Sequence, residues 1–193
     1  MSYHDVKRKR REKRNQILIA ILLSFILLGS MLGVMLNQDE QTFKYKNYKF
    51  KVSDQGYTSK INGKVFYFNY LPNNIEEFEI PEEYCQKLRT ASQINLLFEP
   101  ETRSSALIDV IRLDIKDNYN QEIISSITEE STKYTMYEVM SCDNATALTP
   151  IIFFKEGNNV SLEIENNCLI AQAKDRNFLV FRDRILYCYT GVM

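Results

Sequence analysis

Ile17 to Leu36 is a run of twenty residues without a charged side chain, broken only by the small polar Ser24 and Ser30. A helix rising about 1.5 Å per residue makes this run about 30 Å long, the thickness of a bilayer's hydrocarbon core. In lipid the backbone must satisfy its own hydrogen bonds, so a helix is the form expected. Lys7 to Arg14 places seven basic residues and one acid, Glu12, directly before the run, while Asp39 and Glu40 follow it. The positive-inside rule therefore predicts four segments. Residues 1–16 are a basic cytoplasmic tail, 17–36 a transmembrane helix, 37–42 a juxtamembrane linker and 43–193 an extracytoplasmic domain. The expected localisation is the cell membrane, with a single pass.

The apolar run exceeds the roughly 7–15 residues of a cleaved signal's core. Gly33 to Gln38 offers no small-x-small cleavage site, so an uncleaved signal anchor is expected. Gly29 and Gly33 stand one helical turn apart, the spacing that lets two membrane helices approach closely, and they form a candidate dimer face. A basic start before a long apolar run also resembles the pilins in outline. The chain departs from that pattern: no glycine precedes a cleavage point and no glutamate stands early in the run.

Beyond the run, 157 residues remain, enough for one domain with a proper core. The net charge of −1 hides a division: the tail carries seven basic and two acidic residues, the outer part 17 basic and 23 acidic. A mildly acidic outer domain argues against nucleic-acid binding. All four cysteines, Cys85, Cys142, Cys168 and Cys188, lie on the outer side, where an oxidising compartment permits disulfides. Three pairings are open. Cys142–Cys168 is favoured because both stand at the ends of expected strands. Two sequons, at Asn144 and Asn159, fall where exposed loops are expected and are candidate glycosylation sites.

An α+β fold with a largely antiparallel sheet is expected for residues 43–193. Tyr48, Phe50 and Val52 alternate with Lys49, Lys51 and Ser53, the pattern of a strand with one wet face. Tyr57–Ile61 and Lys64–Leu71 flank Asn62-Gly63, a strong hairpin signal because both residues tolerate positive φ. The result is a three-stranded meander whose third run looks covered on both faces. Pro81 suits the first helical position, with a helix to about Thr90. Glu76, Glu77, Glu79, Glu82 and Glu83 cluster there, but without a calcium-loop pattern they read as a helix-terminus feature rather than a metal site. Ile94–Phe98 reads as a buried strand. Arg103–Tyr119 reads as a helix with Leu107, Ile108, Ile111, Ile115 and Tyr119 inward and Arg112 outside that stripe. Residues 120–133 fit either a helix extension or a loop. Strands follow at Tyr134–Met140, Pro150–Lys155, Val160–Glu165 and Cys168–Ala173. Glu156 to Asn159 is read as one hairpin turn and Asn166-Asn167 as the next. A final helix runs from Asn177 to about Tyr189.

Chemistry is thinly signalled. The only histidine, His4, lies in the tail, so the outer domain has no Ser-His-Asp triad, Cys-His pair or histidine zinc site. In open α/β sheets ligands sit at the carboxyl ends of strands. Glu99, Glu101, Ser104 and Ser105 occupy that place after Ile94–Phe98. The two glutamates are candidates for an acid–base pair, the two serines for an anion site at a helix start. Helix capping is the plainer reading of all four. No cofactor or metal is expected.

The stretches Ser141 to Thr146, Pro150 to Ile152, Asn167 to Ile170 and Asp183 to Tyr187, with Gly191-Val192-Met193, resemble a group of uncharacterised archaeal proteins with one amino-terminal membrane span. That resemblance implies an anchored architecture, supports the Cys142–Cys168 pairing and brings no catalytic residue with it. The function expected is non-catalytic: an anchored domain binding an extracytoplasmic protein or envelope component, with a homodimer through the span as a further expectation. The alternatives are a membrane-tethered enzyme using Glu99 and Glu101, and a pilin-like subunit.

Overall fold

A computed structural model describes residues 15, 17–30 and 41–193. The chain divides into two compact units, residues 1–41 and 42–193. In the first, residues 17–30 form helix α1, whose side chains are exposed all round, including nine leucines and isoleucines and Phe25. Among the described residues no helix is long and apolar enough to cross a membrane. Fourteen helical residues make about 21 Å, short of a bilayer core. Residues 31–36, which would complete the expected span and include Gly33, lie outside the described residues, as do residues 1–14 and 16 of the basic tail.

The second unit is a mixed α+β domain with two sheets. Sheet A is an antiparallel meander of β1 (Thr42–Tyr45), β2 (Tyr48–Ser53), β3 (Gly56–Ile61) and β4 (Lys64–Phe68). It has four strands, not three: Lys46, at φ 49°, turns the chain between β1 and β2. The Asn62-Gly63 turn has φ of 50° and 87°, so the expected hairpin forms for the expected reason. One face, with Phe50, Ser59, Ile61, Phe66 and Phe68, is buried. The other is open, so β4 is covered on one side only, with Val65 and Tyr67 exposed.

Sheet B has the order β7-β6-β5-β8-β10-β9. Its members are β5 (Gln93–Phe98), β6 (Glu122–Ile127), β7 (Glu138–Val139), β8 (Ile151–Glu156), β9 (Ser161–Glu165) and β10 (Cys168–Ala173). Every pairing is parallel except β9 with β10. The antiparallel expectation thus holds for sheet A and fails for sheet B. Residues 120–133 contain a strand, β6, reached from β5 through helix α3 (Ser105–Asn118). Glu156 to Asn159 do not close a hairpin: β10 inserts beside β8, and β9 is pushed to the edge. A βαβ unit buried on both faces lacks clean alternation, and this is why it reads poorly in sequence. Of the expected strand Tyr134–Met140 only β7 pairs.

Helix α4 (Phe178–Thr190) lies between the sheets. Tyr187 stacks on Phe68 of sheet A at 4.2 Å, while Phe178 meets Phe154 of sheet B edge-on. Helix α2 (Glu82–Thr90) and α3 flank α4. Pro81 is the residue preceding α2 rather than its first turn. Ten of the 13 residues of α4 are buried, among them Arg182, Asp183 and Arg184. Asp183 accepts the backbone N–H groups of Asn69 at 2.6 Å and Tyr70 at 2.8 Å, tying the end of β4 to the helix. Its carboxylate also meets Arg182, whose guanidinium bonds Asp114 and donates to the Tyr67 carbonyl at 2.7 Å. Burial pushes the Asp183 carboxyl up to about 6, outweighing the pull of Arg182 and of the two amides.

Two cysteine pairs stand at disulfide distance. Cys85–Cys188 joins α2 to α4 inside the core, with both residues fully buried. Cys142–Cys168, the pairing expected from the sequence, clips the loop after β7 onto the outer face of sheet B. There Leu97, Ile151 and Cys168 form a second small core with Met140 and Phe153 against it.

Candidate functional site

Strands β5, β6, β8 and β10 all end on one edge of sheet B because they are parallel. The four residues singled out in the sequence fall at this edge. Glu99 accepts the Glu156 backbone N–H at 2.9 Å, which ties the end of β5 to the end of β8. The Glu156 carboxylate in turn accepts from the Thr102 hydroxyl and, at 2.9 Å, from the Arg103 N–H. Ser104 accepts the Asp175 N–H at 3.1 Å, linking this loop to the segment after β10. Ser104 precedes α3 but its hydroxyl caps no helical amide, so the capping expectation fails there. It is 5% exposed, which leaves its hydroxyl facing protein rather than a solvated anion.

Glu101 belongs to a different contact. Its carboxylate accepts from Ser131 at 3.3 Å, in the loop after β6. The Ser105 hydroxyl accepts from Lys133 of the same loop at 3.3 Å. Glu99 and Glu101 are thus held by different strands' loops, Glu99 by β8 and Glu101 by the β6–β7 connection. The edge is a lattice of structural hydrogen bonds.

Beside it lies a concavity of about 320 Å³, lined by Ile127, Glu130, Ser131, Tyr134, Thr135 and Tyr137, among others. Its aromatic wall is held from behind. Tyr134 and Tyr137 stack at 5.5 Å, and Tyr134 meets Phe98 edge-on at 5.0 Å. Arg112 of α3, 7% exposed, sets its guanidinium 4.3 Å from the Phe98 ring centre and 5.0 Å from that of Tyr137. Arg112 also donates to the Tyr137 hydroxyl at 3.1 Å and pairs with Asp109 at 3.0 Å. Tyr134 donates to the other oxygen of Asp109 at 2.9 Å. A hydrogen bond with Tyr134 holds the neighbouring Lys133 ammonium above its usual range.

Sequence periodicity does not reveal this wall. Helical spacing places Arg112 outside the apolar stripe of α3, yet cation–π contact lets it be buried. A strand over Tyr134–Met140 would put Tyr134 and Tyr137 on opposite faces. In the turn that actually forms, closed by the Tyr137 N–H on the Tyr134 carbonyl at 3.0 Å, the three-residue spacing stacks the rings. Chemically, such a surface offers the half-buried Tyr137 ring, backed by the buried Tyr134, with the Ser131 and Thr135 hydroxyls and the Glu130 carboxylate at its rim. No cluster of three metal-ligating side chains occurs among the described residues. The sequon residues Asn144 and Asn159 are both exposed, and the Asn144 side chain accepts the Ser141 N–H at 2.8 Å. Gly29 lies in α1 with open space around it.

No family model, curated protein or solved structure matches this chain.

Proposed function

We propose that the chain is a single-pass, membrane-anchored protein whose unit 42–193 works outside the membrane as a non-catalytic binding domain. Its partner is an extracytoplasmic protein or envelope component. The anchor reading is supported by the basic tail before an uncharged run of twenty residues and by the apolar side chains that α1 exposes on every side. A helix apolar all round needs a surrounding apolar medium. Two cysteine pairs at disulfide distance fit an oxidising compartment.

The single observation that carries the binding reading is the rigid aromatic concavity of Tyr134 and Tyr137, set beside strand ends whose acids are already bonded to protein. Aromatic surfaces held in place by second contacts bind with little loss of conformational freedom. The test is crosslinking and affinity capture of the tagged full chain from its own membranes, beside a Thr135→Arg variant that fills the concavity from an exposed position. A partner captured by the parent and lost with the variant is the expected result. Capture of the same partner by both, or of none by either, would refute this site as the binding surface. A Gly29→Leu/Gly33→Leu variant run alongside tests the homodimer, which it should dissolve without changing the partner captured.

A further inference from the structure

The outer face of sheet A carries charge of one sign. Residues 42–71 contain six lysines and one acid, Asp54, for a net charge of +5. The rest of the outer part, residues 37–41 and 72–193, contains 11 basic and 22 acidic residues, a net charge of −11. The lysines are not scattered over the meander. Lys46 donates to the Val192 carbonyl and Lys64 to the Asp117 carbonyl, so those two are turned toward the domain. Lys44, Lys49, Lys51 and Lys60 alternate with the inward residues of β1, β2 and β3, and all four are exposed.

Register sharpens the point. Lys44 of β1 stands directly opposite Lys49 of β2. Like charges facing across a strand pair destabilise it. No carboxylate among the described residues makes an ion pair with Lys44, Lys49 or Lys60. The same face exposes Val65, opposite Lys60, and Tyr67, at 49% and 57%. Lysines around an aliphatic side chain and a tyrosine suit the headgroup region of a bilayer, where amphipathic rings and basic groups both settle.

On the anchored reading, a short link keeps the domain near the membrane. Five residues separate the end of the uncharged run, Leu36, from β1 at Thr42. Fully extended, that link reaches about 20 Å.

We infer that the outer face of sheet A, through Lys44, Lys49 and Lys60, docks on the anionic headgroups of the membrane that the chain's own apolar run crosses. This inference rests on the anchored reading above. Phosphate-bearing headgroups supply the negative charge that the face lacks, and relieve the Lys44–Lys49 repulsion. Each basic group at such a surface is worth about fivefold in binding, within a Debye length of about 10 Å at 0.1 M salt.

The test uses the full chain in lipid nanodiscs, one set of phosphatidylcholine alone and one with about one-third phosphatidylglycerol. Amine acylation read by mass spectrometry gives the reactivity of each lysine. Lys44, Lys49 and Lys60 should react at least fivefold more slowly in the anionic discs, and recover in 1 M salt, while exposed Lys155 and Lys174 stay unchanged. Equal reactivity in both disc types, with the chain retained in both, overturns the docking face and leaves the anchor standing. Protection that is the same in neutral discs and in detergent also overturns it, in favour of a second copy covering the face. A chain not retained by the neutral discs overturns the anchored reading, and the docking face falls with it.

Discussion

Arg182 is the hinge of the buried charges in α4, and its replacement has a sign that can be worked out. One guanidinium serves two carboxylates: Asp183, fully buried, and Asp114, one-third exposed. Arg182→Met keeps much of the packing but leaves Asp183 without a counter-charge. Removing one partner of a buried pair costs about 3–5 kcal/mol. The carboxyl of Asp183 is already raised to about 6 by burial, so without Arg182 it rises further and takes a proton instead. Asp183→Asn alone leaves Arg182 balanced by Asp114. It loses bonds because its NH2 must face either the guanidinium or the amides of Asn69 and Tyr70, at about 1–3 kcal/mol. In the double variant the unpaired charge is gone, so Asp183→Asn should recover part of what Arg182→Met loses at pH 7. Urea unfolding of residues 42–193 with disulfides intact, followed by near-ultraviolet circular dichroism, measures this cycle. The two costs simply adding, with no recovery, would refute the assignment of the loss to an uncompensated Asp183.

The same carboxyl sets a pH dependence. Its folded value of about 6 lies above the ordinary 3.8, so between these values the folded chain holds a proton that the unfolded chain has released. Stability therefore falls as pH rises from about 4 to about 6, by up to about 3 kcal/mol, and this segment of the profile should vanish in Asp183→Asn. The disulfides should rank by loop length: a 103-residue separation for Cys85–Cys188 against 26 for Cys142–Cys168. Chain entropy gives about 4.7 and about 3.5 kcal/mol, so replacing the first pair by alanine should lower the urea midpoint more than replacing the second. Tyr187→Ala, which empties the stack on Phe68, should cost about 3–5 kcal/mol. Tyr187→Phe loses only the bond to the Tyr70 carbonyl and should cost about 1 kcal/mol by the same measurement.

Much of the domain is legible in sequence where the signal is local. Asn62-Gly63 announces its own turn because the φ values it needs are rare elsewhere. The inward stripe Ile108, Ile111, Ile115 and Tyr119 follows from helical period alone. Sheet B resists because partner choice is not local. Nothing in Val160 to Glu165 tells that β10 will insert between it and β8. Arg112 misleads because a charged side chain is read as solvent-facing; rings make it a core residue, as paired carboxylates do Arg182. The candidate site was half legible. Glu99, Glu101, Ser104 and Ser105 do sit at the strand ends, but which atoms they bond depends on Glu156, Asp175 and Ser131, far away in sequence.

Charge order along the chain also bears on topology. On the anchored reading, Lys44, Lys46, Lys49 and Lys51 fall within 15 residues of the end of the uncharged run, close enough to count in orientation. They compete with the tail, which outweighs them with seven basic residues. A basic patch placed there works against the topology that the tail sets, and Lys44 facing Lys49 works against the sheet that holds it. Solubility asks for neither: the outer face of a meander stays wet equally well with mixed charges. The acids needed for mixing are abundant, 22 of the outer part's 23 lying outside residues 42–71. Two opposing costs at one patch, with the compensating charge placed elsewhere in the same domain, are what a face shaped by an external anion would show.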